Sequence, residues 1–165
     1  MQDHRIQPLV AIRALRRLLQ DPEKTEEVFV ILRALTGRSV LNAFKRFKSI
    51  PTGQTILTEE RDLVALLDDR QALRALPEGS LGRAYLQFVE REAISAGGLI
   101  EASERDLDFV DADFERFANR MRDQHDLWHV LTGYGRDTFG EACLLAFTYA
   151  QTNNRGIAFI AIAGM

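Results

Sequence analysis

The sequence predicts an all-α fold, and three observations carry that reading. Apolar residues recur at helical spacing over most of the 165 residues. Helix start and stop signals bracket those segments. No stretch alternates apolar and polar residues as a half-buried strand would. The length is that of one domain, which takes roughly 100–200 residues. A composition of 46% apolar and 27% charged residues offers enough apolar surface to offset the entropy of ordering the chain. A single-domain bundle of roughly seven to nine helices over residues 1–165 is therefore expected.

The elements follow in order. Pro8 to Leu19 carries Leu9, Ile12, Leu15, Leu18 and Leu19 at helical spacing, with Arg13, Arg16 and Arg17 mostly on the other face. Asp21-Pro22-Glu23 reads as a helix start, an N-cap acid followed by proline and a first-turn acid. That helix holds Val28, Ile31, Leu32 and Leu35 and stops at Thr36-Gly37. A third helix spans Ser39 to about Phe47, and Ser49 to Gly53 reads as loop. Thr58-Glu59-Glu60 opens a helix through Leu66 and Leu67, and a short helical piece runs on to Leu76 before Pro77-Glu78-Gly79-Ser80 breaks it. Leu81 to about Ile94 is amphipathic and closes at Ala96-Gly97-Gly98; Glu101 to Asp113 is an acidic connector. One long helix then carries Phe114, Phe117, Met121, Trp128 and Leu131 to a break at Gly133-Tyr134-Gly135. The next helix begins at Asp137 or Thr138 and passes Tyr149, and the apolar run Ile157 to Met165 is either the start of a buried helix or a tail that docks elsewhere.

Composition removes several classes of function. A single cysteine, Cys143, excludes a disulfide framework and any CxxC zinc site; in its apolar helix it reads as an inert core residue. No run approaches the ~18–20 apolar residues of a membrane span. MQDHRIQPLV lacks the apolar core of a secretory signal, so a cytoplasmic location is expected. Charge is asymmetric. Residues 1–50 hold ten of the 21 basic residues and five of the 24 acidic ones, a net +5 on a body of net −8. The basic N-terminal helix could lie on an anionic membrane surface or form a solvated face packed on the body. Nucleic acid is not an expected partner, because the body is acidic and carries no recognisable binding motif. A second copy of the chain, as a homodimer, remains open.

Chemistry concentrates in one place. The chain has three histidines, and His125 and His129 fall four apart on one helix, about 40° apart around its axis. Asp126 lies about 60° beyond His129, so all three fit within about a 100° arc. His125-Asp126-Leu127-Trp128-His129 shares only its histidines with the HExxH of metalloproteases. The Gly133–Gly135 break lets the flanking helices fold back as an antiparallel hairpin. Residue 127 is six before Gly133 and Glu141 is six after Gly135, so both lie ~9 Å from the turn. Two imidazoles with carboxylates from Asp126 and Glu141 form an N₂O₂ set suited to Zn²⁺, Fe²⁺ or Mn²⁺, with a coordination position left for substrate or water. Plainer readings stand beside it: a surface histidine pair, a solvated Asp126, and Glu141 as the N3 member of a Thr138–Glu141 capping box. Pro77 to Arg83 could hold an anion on free helix amides, or be a helix start alone.

His125-Asp126-Leu127-Trp128-His129, eleven residues and Glu141 resemble the HDxxH-x₁₁-E signature of the coenzyme Q (ubiquinone) biosynthesis protein 4 family. The flanking Leu131 to Tyr134, Arg136-Asp137, Gly140 to Gln151, Leu76 to Tyr85 and Pro51 to Gly53 resemble it too, so the likeness spans most of the chain. Family members usually continue beyond the point where this chain stops, so the C-terminal part of the family domain is expected to be missing. The resemblance implies an all-helical protein, peripheral on the inner membrane, that binds a polyprenylated quinone precursor or isoprenoid lipid. It implies a divalent metal, usually zinc, held by His125, Asp126, His129 and Glu141, which would also be the catalytic residues. It implies a lyase that removes the ring carboxyl of a 4-hydroxy-polyprenylbenzoate-type precursor, with hydroxylation at the same carbon, and association with other ubiquinone-biosynthesis proteins.

Replacing carboxyl by hydroxyl is an oxidation, and zinc has no redox chemistry. Either iron or manganese occupies the same ligands, or dioxygen reacts directly with an electron-rich ring. The competing function is a non-catalytic lipid-binding scaffold that organises the biosynthetic complex. A metal-dependent phosphohydrolase of the His-Asp type also begins with an HD pair, but needs further histidine ligands, and His4 is the only one left.

Overall fold

The computed structural model describes residues 5–21, 24–59, 61–96 and 111–163. Among the described residues are eleven helices and no strand. They are α1 (Pro8–Gln20), α2 (Thr25–Thr36), α3 (Ser39–Ser49), α4 (Pro51–Thr58), α5 (Leu63–Asp68), α6 (Arg70–Ala75), α7 (Leu81–Glu92), α8 (Ala112–Asp123), α9 (His125–Thr132), α10 (Thr138–Thr152) and α11 (Arg155–Ala163). The all-α expectation holds, with more helices than expected because short segments are capped separately. Pro51-Thr52-Gly53, expected as loop, starts α4: proline at the first helical position gives up an amide that has no intrahelical acceptor. The helix expected at Thr58-Glu59-Glu60 begins instead at Leu63, where the Asp62 carboxylate accepts from the Val64 and Ala65 amides; Glu60 lies outside the described residues. Asp69 caps α6 in the same way, through the Ala72 amide. The predicted long helix is divided at Gln124, which ends α8 and starts α9.

Other boundaries move as well. Asp21 ends α1, its amide donating to the Arg17 carbonyl, and α2 starts at Thr25 rather than at Asp21; Pro22 and Glu23 lie outside the described residues. Helix α7 stops at Glu92, with Ala93 left-handed at φ 54°. Gly97 and Gly98, expected to close it, lie outside the described residues. An alanine at that cap carries a Cβ penalty that glycine escapes. Ala93→Gly is therefore expected to stabilise the protein by about 0.5–1 kcal/mol in urea unfolding. The acidic connector also lies outside the described residues up to 110; from Asp111, whose carboxylate caps α8, the chain is helical.

The described residues group into two compact units, one formed by those within 1–47 and 134–165 and the other by those within 48–133. In the first, α2 packs against α1 and α11, and α11 against α10. Its core is Ala11, Ala14, Ile31, Ala34 and Ile160. The predicted apolar stripe of α1 faces the other way in part: Leu9, Ile12 and Leu19 are exposed while the alanines are buried. Small residues let two helices approach closely, and the bulkier ones are displaced to the surface. Ile157 to Ala163 does form a buried helix, with Gly156, Ile157, Ile160 and Ala161 inside. The Asn154 amide oxygen accepts from Gly156 N–H (2.9 Å), and its Nδ2 donates to Thr36 (3.1 Å).

An ion pair ties α1 to α2. The Arg17 guanidinium donates from two nitrogens to the two oxygens of Glu27, whose side chain is largely buried. The Arg17 hydrogen bond holds the Glu27 carboxyl below the usual carboxylate range, against the opposing effect of burial. A depressed folded-state pKa contributes stability that is present above the unfolded value and is lost as pH falls through the folded one. Glu27→Gln is thus expected to lower stability at pH 7, with the gap to wild type closing in acid. Urea unfolding at a series of pH values reads this directly, and a gap that widens in acid contradicts it.

The second unit carries the histidine motif. Its core is built from Leu67, Leu73, Tyr85, Leu86, Phe88 and Val89, with Leu127 and Val130 of α9 packed against it. Helix α7 is the central strut, packing against both α6 and α9. Ser80 caps α7 through the Arg83 amide (3.3 Å), and the Arg83 side chain donates to the Arg74 carbonyl. The anion candidate at Pro77 to Arg83 is therefore accounted for as a helix start.

Candidate metal centre

Helix α9 is eight residues long and begins at His125, so the whole histidine motif lies on it. Asp126 stands in its first turn, where a carboxylate complements the helix dipole. Gly133 ends α9 in the left-handed conformation (φ 73°), donating its amide to the His129 carbonyl at 2.9 Å. A Cβ would be strained at that φ. The expected glycine stop is thus in place, four residues past the second histidine.

The spacing brings the side chains together. One ligand atom each from His125, Asp126 and His129 lie within 4.8 Å of one another. The two imidazoles meet edge to face with centroids 4.9 Å apart. Bonds of ~2.0–2.1 Å to one zinc ion put tetrahedral ligand atoms ~3.4 Å apart, a contraction within reach of side-chain rotation. Burial differs along the motif: His125 is partly exposed, whereas Asp126 is 7% and His129 1% exposed. A buried carboxylate beside two imidazoles is costly to leave without a cation. Donor chemistry, spread and burial therefore fit a divalent metal with nitrogen and oxygen ligands.

Two further contacts fix the ligands. His125 Nδ1 lies 3.3 Å from Asp126 Oδ1, so the two candidate ligands are also in contact with each other. His129 stacks on Phe88 of α7, with centroids 5.5 Å apart and planes 20° from parallel. The Arg91 guanidinium sits 5.6 Å from the Phe88 ring centroid. Phe88 was not among the expected site residues. An apolar residue on an amphipathic helix looks the same whether it lines a core or braces a ligand, so nothing in the sequence singled it out.

Glu141 belongs to the other unit, on the first turn of α10. The capping box expected there does not form on Thr138. Asp137 is the N-cap, accepting from the Phe139 and Gly140 amides at 3.1 and 3.0 Å, which places Glu141 at the fourth helical position rather than the third. Cys143 is free and partly buried.

A motif of this kind, read against known proteins, finds its match over nearly the whole chain. Residues 5–164 match the model of the coenzyme Q (ubiquinone) biosynthesis protein Coq4. The chain belongs to the Coq4 family of ubiquinone biosynthesis. Among curated relatives, the mitochondrial ubiquinone biosynthesis protein COQ4 homologue of Bos taurus is 33% identical over 145 residues, covering 87% of this chain and 53% of that protein. The Danio rerio homologue is 30% identical over 135 residues, 81% of this chain and 48% of that protein. The Homo sapiens homologue is 30% identical over 145 residues, 87% of this chain and 53% of that protein. The chain spans about half the length of the curated relatives it matches. No solved structure matches it. Among the described residues no helix is long and apolar enough to cross a membrane.

Proposed function

We propose that this member of the Coq4 family is a metal-dependent lyase that removes the ring carboxyl of a 4-hydroxy-polyprenylbenzoate-type precursor as CO₂, with hydroxylation at the same carbon for which dioxygen is the oxidant and oxygen source. The observation that carries the reading is the convergence of two imidazoles and a buried carboxylate within 4.8 Å on one short helix. His125, Asp126 and His129 hold the metal, and the HDxxH-x₁₁-E motif assigns Glu141 to the same ligand set. A divalent metal bound there would supply Lewis acidity toward a ring carboxylate or phenolate. Asp126 sets the tautomer of His125 through the 3.3 Å contact. Phe88 keeps the His129 ring from rotating away. Burial of Asp126 and His129 excludes water and strengthens each electrostatic contact.

The test supplies purified, metal-loaded protein with a carboxylated, prenylated ring and O₂. CO₂ release that disappears in His129→Ala, with the fold intact, is the expected result. No turnover with any of zinc, iron or manganese overturns the enzyme and leaves the scaffold.

Membrane contact is proposed for α1. It exposes Leu9, Ile12 and Leu19 beside Arg13 and Arg16, the composition of a helix lying in an anionic interface. Flotation with anionic liposomes is expected to carry the protein at low salt and less of it at high salt; absence of binding at both contradicts the proposal. The isoprenoid tail of the substrate and other ubiquinone-biosynthesis proteins are the partners this reading requires.

A further inference from the structure

One stripe of α8, a helix that packs against α4 and α5, is polar. Ala112, Glu115, Arg116, Asn119, Arg120 and Asp123 recur three and four residues apart, so they share one face of the helix. A face turned toward other helices is ordinarily apolar. Here it borders a cavity of about 440 Å³ that opens to solvent and is also lined by Arg61, Asp62, Leu63 and Val64 at the start of α5. That volume falls in the ~300–1,000 Å³ range of small-molecule sites. Every described residue that lines it belongs to the unit within 48–133, and none of His125, Asp126 and His129 is among them.

Cationic donors in this cavity outnumber the acceptors left for them. Arg61, Arg116, Arg120 and Arg122 line it together with three carboxylates. Two of those carboxylates are committed. Asp62 accepts from the Val64 and Ala65 amides at 2.9 and 3.4 Å as the N-cap of α5, and Asp123 pairs with Arg122 at 2.8 Å. The third, Glu115, is exposed. Arg61 lies 3.5 Å from the Glu59 carboxylate, and Arg116 donates to the Glu59 carbonyl, which carries no charge. Arg120 is half-buried and makes no hydrogen bond or ion pair among the described residues. Arg116 and Arg120 also stand one turn apart, where like charges repel each other. An anion in the cavity relieves that repulsion.

We infer that this cavity binds a phosphate group, held by Arg116 and Arg120 of α8 with the exposed Arg61 beside them. A guanidinium presents paired N–H donors that match two oxygens of an oxoanion. One such fork satisfies a carboxylate, whereas the three oxygens and nearly double charge of a phosphate take more than one. The cavity is larger than the bare group, and Ile56, Leu63 and Val64 supply apolar wall for the carbon that carries it. The ligand is therefore a phosphate ester, either a soluble one or the headgroup of a lipid. The site is separate from the histidine motif and does not depend on a metal being bound there.

The experiment is calorimetric titration of glycerol 3-phosphate into wild type, Arg116→Gln, Arg120→Gln and a control, Arg155→Gln, whose exposed side chain lies outside the cavity. Ionic strength is held constant with chloride, and circular dichroism melts check that each variant folds. A second arm measures co-sedimentation of the same proteins with phosphatidylcholine vesicles that contain phosphatidic acid. Wild type and Arg155→Gln are expected to bind in at least one arm. Arg116→Gln and Arg120→Gln are expected to bind at least ~10-fold more weakly in that arm, the effect of losing one hydrogen bond to a charged group. Weakening seen with glycerol 3-phosphate assigns the site to a soluble ester, and weakening confined to vesicles assigns it to a lipid headgroup. Helix α1 is the same in all four proteins, so its own contact with vesicles cancels in the comparison. Either cavity variant decides the matter alone. Binding by wild type in neither arm, or equal binding by wild type and a folded cavity variant in both, overturns the inference. Equal weakening by Arg155→Gln also overturns it, because the effect is then one of overall charge.

Discussion

Chelation with EDTA is expected to lower the melting temperature of metal-loaded wild type by roughly 6–16 °C and to leave that of His129→Ala unchanged. The size follows from mass action. A metal held at 100–1,000 times its dissociation constant stabilises the native state by about 3–4 kcal/mol, and each kcal/mol is worth about 2–4 °C in a chain of this size. His129 is the residue to remove because it is 1% exposed and packed on Phe88, so no water replaces its ring nitrogen easily. The alanine variant also loses packing, which lowers its melting temperature whether metal is present or not. Sensitivity to EDTA, rather than the melting temperature itself, is therefore the reading that isolates the metal. Differential scanning calorimetry of both proteins with and without chelator measures it. An EDTA effect of equal size in the variant would remove His129 from the ligand set.

Gly140→Ala is expected to destabilise the protein by about 3 kcal/mol or more. A Cβ added at Gly140 would collide with the backbone carbonyl of Gly135. Backbone cannot swing aside as a flexible side chain can, so the turn before α10 would have to open. That turn is also where Asp137 caps the helix through the Phe139 and Gly140 amides. Loss of the close approach therefore threatens the cap as well, worth ~1 kcal/mol by itself. Urea unfolding of the metal-free protein reads the effect without interference from ligand binding. A change below ~0.5 kcal/mol would mean that the turn relaxes freely.

Much of this architecture was legible because helical spacing and caps are local. Ser80 caps the helix start that the sequence marks at Pro77 to Arg83; Asp62, Asp69 and Asp111 are N-caps of the same chemistry, starting helices that the pattern merged or left as connector. Pro51 misled because proline followed by threonine and glycine suits a turn and a helix start equally. Ala93 could not be anticipated, since nothing about an alanine announces a left-handed residue. Periodicity identified α1 and placed Leu15 and Leu18 inward, but misassigned Leu9, Ile12 and Leu19, because which apolar residues go inside depends on how closely the partner helix approaches. The same division applies to the site. His125, Asp126 and His129 were readable together because one helix turn fixes their relation whatever surrounds it. Phe88 reaches α9 through tertiary packing of α7, which spacing along one chain does not encode.

Metal analysis of the protein as purified, with anomalous scattering from its crystals, tests the central claim most directly. The expected result is about one equivalent of a divalent transition metal per chain, with the anomalous peak between the imidazoles of His125 and His129 and beside the Asp126 carboxylate, and no peak in His129→Ala. Wild type free of metal after purification in its presence, or a peak away from these three side chains, would contradict it.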